Sequence, residues 1–64
     1  MNKIVEILMK RDGLSKEEAN DLFEETQKEI GYLVGSGSPY DEIEDTMSDM
    51  LGLEMDYIYD LLNI

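Results

Sequence analysis

The sequence predicts an all-α protein, a small four-helix domain built of helix hairpins. Apolar residues recur every three or four positions along most of the chain, which is the period of an α-helix. Each apolar stretch begins and ends at residues that typically start and stop helices. No stretch alternates apolar and polar residues as a half-buried strand does. A chain of 64 residues has room for one small core, so residues 1–64 are expected to form a single domain.

The first helix is expected to end at Asp12-Gly13, because glycine readily takes the left-handed conformation that stops a helix. Its apolar residues are Ile4, Val5, Ile7, Leu8 and Met9. This apolar arc is wider than a helix packed on one side needs, so the helix lies beneath the other helices or pairs with a second chain. A core this small often needs a second copy for stability, and we favour a homodimer interface formed by Ile4, Ile7 and Leu8.

The second helix is expected to run from Lys16 to about Val34. Ser15 and Glu18 have the spacing of a capping box, in which each side chain binds the backbone amide of the other residue. One apolar stripe follows, formed by Ala19, Leu22, Phe23, Thr26, Ile30, Leu33 and Val34. Acidic residues, among them Glu25 and Glu29, occupy the opposite side.

The third helix is expected to start at Pro39 with Ser38 as its cap, because proline suits the first helical position. Its apolar side contains Tyr40, Ile43, Met47, Met50 and Leu51. Gly52-Leu53 repeats the stop signal of the first helix. A last helix, from about Met55 to Asn63, is expected to bury Tyr57, Ile58, Leu61 and Leu62.

The charge is distributed unevenly along the chain. The net charge is −11, and all five basic residues lie in the first 28 positions. Residues 29–64 contain nine acidic residues and no Lys, Arg or His. Such an excess of one sign destabilises the compact state by self-repulsion, and a basic partner would compensate for it.

A row of carboxylates is expected along the third helix. Asp41, Asp45 and Asp49 fall nearly in line opposite the apolar side, with Glu42 and Glu44 beside them. Four helical residues rise about 6 Å, close to the roughly 6–7 Å between successive phosphates of a nucleic-acid strand. The row could present charge as a nucleic acid does, or it could be a solvated face that keeps the protein soluble. Both interpretations stay open.

Two tyrosines are expected to lie outside the core. Tyr32 projects from the acidic side of the second helix, and Tyr59 projects away from the apolar stripe of the last one. An exposed tyrosine among carboxylates is typical of an interface anchor. Alternatively, each ring covers a neighbouring helix or a second copy of the chain. Tyr40 and Tyr57 are expected to pack in the core.

The composition argues against an enzyme. With no cysteine and no histidine, the chain lacks disulfides, thiolate ligands, the commonest zinc ligand and the usual acid–base group near neutral pH. The acidic stretch lacks the glycine that a calcium-binding EF-hand loop needs at its sixth position. We therefore expect no catalytic site, no cofactor and no metal. The absence of a long apolar run or a signal-peptide pattern predicts a cytoplasmic protein with no membrane contact.

Two segments resemble a known family. The segment from Lys10 to Ala19 and the segment from Gly52 to Tyr57 are similar to short acidic proteins of bacteriophages and prophages. Those proteins begin with an RDGLSxEEA motif and end with a GLExDY motif. Where relatives have proline after Gly-Leu-Glu, this chain has Met55. The family has no assigned reaction, but the resemblance implies a phage context, in which small acidic proteins often inhibit bacterial nucleases and other defence complexes.

These observations together favour a phage-encoded inhibitor that acts in the cytoplasm of the host bacterium. It would bind a basic protein partner, a nuclease or nucleic-acid-binding defence complex (a CRISPR or another system), and no nucleic acid directly. The expected contact residues are Glu25, Glu29, Tyr32, Asp41, Glu42, Asp45, Asp49 and Tyr59. The alternative is a structural or assembly protein that oligomerises through its apolar helices, with the acids only for solubility. A third class, a ligand-binding or catalytic domain, would need a pocket that the sequence does not predict.

Overall fold

A computed structural model describes residues 2–62. Within this range there are four α-helices, one turn of 3-10 helix and no strand. The elements are α1 (Lys3–Asp12), α2 (Lys16–Gly35), α3 (Tyr40–Leu51), the 3-10 turn (Met55–Tyr57) and α4 (Ile58–Leu62). The prediction of an all-α, four-helix fold is confirmed. Asn63, the expected end of the last helix, lies outside the described residues.

The end of α1 and the start of α2 form where the sequence signals predict them. The Asn2 side chain accepts a hydrogen bond of 2.8 Å from the Ile4 amide, and Gly13 ends α1 with a φ of 68°. The capping box of α2 is complete, since the Glu18 amide donates to Ser15 Oγ at 3.1 Å and the Ser15 amide donates to Glu18 Oε1 at 3.0 Å. This backbone hydrogen bond from Ser15 lowers the pKa of Glu18, with a smaller contribution from the Ser15 side chain.

Helix α2 is the element around which the others pack. Its 20 residues span about 30 Å, which accounts for the long dimension of 33 Å. It contacts α1, α3 and α4, and α1 also contacts α4. The buried apolar core is formed by Ile4, Val5, Leu8, Ala19, Ile30, Leu33, Ile43, Met47, Leu51 and Leu61. Thr26 is the buried polar residue, and its hydroxyl is satisfied by donating to the Leu22 carbonyl at 2.8 Å.

The expected dimer interface on α1 is wrong for two of its three residues. Ile4 and Leu8 have no exposed surface within a single chain, because α1 lies against α2 and α4. Side chains that are already enclosed cannot bury further area against a second copy. Ile7 is half-buried. The sequence allowed α1 to lie beneath the other helices or to pair with a second chain. The structure places it beneath the other helices.

The start of α3 and the nature of the last helix also differ from prediction. Pro39 stands outside α3 with an extended backbone (φ −61°, ψ 152°), and no side chain caps this helix. Met55–Tyr57 forms a 3-10 turn, so α4 is only five residues long. Tyr40 and Val34, both expected in the core, are exposed by 59% and 47%. Tyr57 is half-buried against the core, as expected.

Arg11 connects the ends of α1 and α3. Its Nη1 donates to the Gly52 carbonyl at 3.1 Å, and its Nη2 donates to the Leu51 carbonyl. A cation at a helix C-terminus is stabilising because the last carbonyls carry partial negative charge. Arg11 also forms a two-pronged salt bridge with Asp12, which raises the pKa of the guanidinium and lowers the pKa of the carboxyl. The RDG segment (residues 11–13) and the GLE segment (residues 52–54) are therefore in contact, and we name this contact the Arg11 joint.

Candidate protein-binding surface

The orientation of α3 is fixed by three buried side chains on one of its sides, Ile43, Met47 and Leu51. Positions on the opposite side of the helix consequently face solvent. Asp41, Asp45 and Asp49 are all exposed, and so are Glu42 and Glu44. We name Asp41, Asp45 and Asp49 the acidic row. Because its members are four residues apart, each step along the row rises about 6 Å.

The acidic row has no compensating cation in the described part of the chain. Between residues 2 and 62 a single salt bridge forms, and it joins Arg11 to Asp12. Neither α2 nor α3 has a basic residue of its own in its last turn, and the cation at the end of α3 is Arg11 of α1. Asp49 lies in that last turn of α3, where a negative charge is unfavourable. The i, i+4 repulsion within the acidic row and the charge of Asp49 near the helix end are therefore unfavourable contributions to stability.

A second group of charges lies on the outer side of α2. Glu25, Glu29 and Tyr32 are exposed, and helical geometry places them within about a sixth of a turn of one another. Tyr32 is exposed by 70% and Tyr59 by 64%. The prediction that both rings lie outside the core is confirmed. Their contact with a partner stays a prediction.

Two adjoining surface depressions were not predicted from the sequence. The apolar groove, with a volume of about 350 Å³, is lined by Val34, Tyr40, Met55, Asp56, Ile58, Tyr59 and Leu62. The acidic groove, with a volume of about 470 Å³, is lined by Tyr40, Glu44, Asp45, Ser48, Gly52, Leu53, Glu54, Met55 and Asp56. Both are open to solvent. They share Tyr40, Met55 and Asp56, so they form one continuous surface.

Sequence reasoning missed the apolar groove because Val34 and Tyr40 match the apolar period of their helices. They stand next to the 36–39 connection, at the end of α2 and the start of α3. The short α4 passes beside them and leaves them uncovered, so they line the groove with Ile58 and Tyr59 of that helix. Their positions next to a helix boundary were the one sequence signal that could have suggested exposure.

Within residues 2–62 no group of three or more Asp and Glu side chains is placed to hold a metal ion. No helix in the same range combines the length and the apolar character needed to cross a bilayer. What the surface combines is carboxylates, tyrosine rings and a groove of aliphatic side chains. This combination is suited to contact with a protein.

Comparison with known proteins assigns no family to the chain. No family model matches it, and neither a curated protein nor a solved structure matches it. The surface chemistry of the chain is therefore what supports a function. The resemblance of the RDGLS and GLE segments to phage proteins stays an expectation.

Proposed function

We propose that this protein is a phage-encoded inhibitor of a bacterial defence complex. It binds a basic, nucleic-acid-binding surface of a nuclease or related complex in the host cytoplasm and blocks that surface. The acids of α2 and α3 face the cations of the target, and an exposed tyrosine anchors the contact. Inhibition by occlusion needs no turnover and no cofactor.

The observation that carries this proposal is the uncompensated acidic row. Asp41, Asp45 and Asp49 are exposed on one side of α3, and no cation of the described chain pairs with them. A solvated face that serves solubility usually mixes both signs of charge, which reduces self-repulsion. Here self-repulsion is retained along the helix. A basic partner would turn this unfavourable energy into steering and affinity.

The alternative of a structural or assembly protein needs apolar helix surface that is open to another molecule. On α1, Ile4 and Leu8 do not offer such surface, because they are enclosed within one chain. Homodimerisation through another surface stays a prediction. The apolar groove is a described surface that a second copy would use, but the carboxylates beside it favour a basic partner.

The experiment that tests the proposal compares two variants with the same total charge. The row variant replaces Asp41, Asp45 and Asp49 with asparagine. The control variant replaces Glu6, Glu17 and Glu24, which are exposed on α1 and α2, with glutamine. Each variant removes three negative charges from the net charge of −11. Each protein is produced in bacterial hosts that each carry one defence nuclease, and the plating efficiency of a sensitive phage is measured.

The wild type is expected to restore plating in at least one host, and the control variant is expected to match it. The row variant is expected to lose protection, and its capture of the defence complex is expected to fail at lower salt than wild type. At about 0.5 M salt the screening length is only about 4 Å, so even wild-type capture should weaken. Equal protection by the row variant, or protection in none of the hosts, would contradict the proposal.

A further inference from the structure

The geometry points to a specific docking element on the partner. The apolar groove and the acidic groove together bind a protruding segment that carries an aliphatic or aromatic side chain next to Lys or Arg. This inference rests on the proposed function in one respect, that the partner is a basic protein. It goes further because it identifies the anchoring site on this chain and the chemistry of the segment that fills it.

The apolar half of the site is an unusual concentration of uncovered apolar surface. Of the four large apolar side chains that are exposed in residues 2–62, three line this groove: Val34, Tyr40 and Tyr59. Half-buried Met55, Ile58 and Leu62 complete it. Because these side chains are contiguous and not scattered singly, the groove is a candidate interaction site. Methionine adapts its shape to a partner, and tyrosine combines a large apolar ring with a hydroxyl that can form a hydrogen bond.

The neighbouring half of the site supplies the charge. Glu44, Asp45, Glu54 and Asp56 line the acidic groove, and no basic residue lines either groove. Arg11 lies nearby, because it donates a hydrogen bond to the carbonyl of Gly52, which lines the acidic groove. Lys3 lines a neighbouring depression with Glu54 and Asp56, and its Nζ is 5.5 Å from the centre of the Tyr57 ring. In residues 2–62 neither cation forms a salt bridge with a carboxylate of the acidic groove. A partner segment that places an apolar side chain in the apolar groove therefore brings its adjacent residues against four carboxylates. Lys or Arg at those positions matches them.

Charge argues against a second copy of this chain as the occupant. A two-fold pairing through the groove would bring Asp56 and the carboxylates of the acidic groove of one copy near those of the other. Like charges held together at an interface cost several kcal/mol. A small molecule is also a poor fit, because an open groove cannot enclose most of a ligand surface as binding pockets do.

The same geometry distinguishes between the two exposed tyrosines. Tyr59 lines the apolar groove beside Val34 and Tyr40, so a partner side chain can pack against several groups at once. Tyr32 does not line either groove and stands among Glu25 and Glu29 on the outer side of α2. Energetically dominant residues of interfaces lie in pockets that exclude water. Tyr59 is therefore the anchor.

Three short peptides test the chemistry of the occupant with the full chain. The first has a central pair of leucines flanked by lysines, the second replaces the leucines with serine, and the third replaces the lysines with glutamate. Binding is measured by fluorescence anisotropy, and the binding site is mapped by NMR from the methyl signals of Val34, Met55 and Ile58. Only the first peptide is expected to bind and to shift these methyl signals.

A matched pair of variants tests the anchor. Tyr59→Ser is expected to weaken binding of the leucine–lysine peptide by at least about tenfold, as loss of a dominant interface residue does. Tyr32→Ser removes an equally exposed ring outside the groove and is expected to change binding by less than about twofold. Circular dichroism of both variants should match wild type, because both side chains lie mostly in solvent.

Several outcomes would overturn the inference. They are equal binding of the serine and leucine peptides, no binding of the leucine–lysine peptide, methyl shifts elsewhere, or a larger loss with Tyr32→Ser than with Tyr59→Ser. A dimer of wild type that Tyr59→Ser dissociates would make the second copy the occupant, which also overturns it. If the groove fails but the acidic row remains necessary for protection against the defence nuclease, the proposed function survives. If the peptide binds but no host is protected, the proposed function fails and the groove stands.

Discussion

Replacement of Asp45 and Asp49 with asparagine is expected to make this protein more stable. Asp41 and Asp45 are four residues apart on α3, and so are Asp45 and Asp49. Carboxylates at this spacing face each other on a helix and repel. Asp49 also lies in the last turn, where the carbonyl ends carry partial negative charge that Arg11 reduces by donating to the Leu51 and Gly52 carbonyls. The double substitution removes all three unfavourable interactions and leaves Asp41, which is favourably placed in the first turn.

The size of the effect follows from these interactions. Each like-charged pair costs about 0.2–0.5 kcal/mol, and a charge of the wrong sign at a helix end costs about 0.3–1 kcal/mol. Asparagine and aspartate have similar helix propensities, so the exchange adds little of its own. Because Arg11 already offsets part of the helix-end cost, the free energy of unfolding at low salt should rise by an amount toward the lower end of about 0.7–2 kcal/mol. For a domain of this size, about 1 kcal/mol raises Tm by about 4–8 °C.

The assay is thermal unfolding followed by far-ultraviolet circular dichroism, at about 0.01 M and about 0.5 M salt. Glu6→Gln is the control, because it is the same kind of substitution in the opposite electrostatic setting. The negative charge of Glu6 is favourable in two ways, because Glu6 lies in the first turn of α1, at the positive end of the helix dipole, and four residues before Lys10. This control should lower Tm at low salt. Both differences from wild type should shrink at high salt, because exposed charges are then screened.

Two results would refute this reasoning. One is a double variant that unfolds at the same temperature as wild type, or lower, in low salt. The other is a stabilisation that remains undiminished at about 0.5 M salt, since it could not then be electrostatic. If the double variant is more stable and also binds its partner less well, the charges of α3 serve binding at the expense of the fold.

Three further predictions concern the scaffold. Leu8→Ala should lower the free energy of unfolding by about 2–5 kcal/mol, because Leu8 is fully enclosed. A urea-unfolding midpoint close to that of wild type would contradict this prediction. Gly52→Ala should destabilise the protein by about 1–2 kcal/mol, because Gly52 has a φ of 66° and the added Cβ would lie 3.3 Å from Arg11 Nη1. Gly31→Ala should stabilise it by about 0.5–1 kcal/mol, because the space around Gly31 is open. A higher Tm for Gly52→Ala than for Gly31→Ala would refute this reasoning. The pKa of Glu18 is lowered below 4.5, so the stabilisation by its carboxylate is complete above pH 4.5 and is lost as the pH falls through the pKa of the folded state. Glu18→Gln should therefore lower Tm near neutral pH and match wild type in strong acid, and a difference independent of pH would exclude the charge as its cause.

The helices and most of their ends could be predicted from the sequence because local interactions determine them. Gly13 and Gly52 adopt the left-handed conformation that stops a helix, and Ser15 and Glu18 form their reciprocal hydrogen bonds within one turn. These features depend on residues only a few positions apart. The exposure of the acidic row also followed from the period of α3, since its apolar and acidic sides are opposite each other.

Tertiary structure decided which apolar side chains are covered. A periodic pattern identifies the apolar side of a helix, but coverage depends on where the neighbouring helices pass and end. Ile4 and Leu8 are enclosed because α1 lies against α2 and α4, whereas Val34 and Tyr40 stay exposed beside the short α4. The joint between Arg11 and the end of α3 likewise connects residues about forty positions apart. The groove and this joint depend on long-range packing, and local sequence signals carry no information about it.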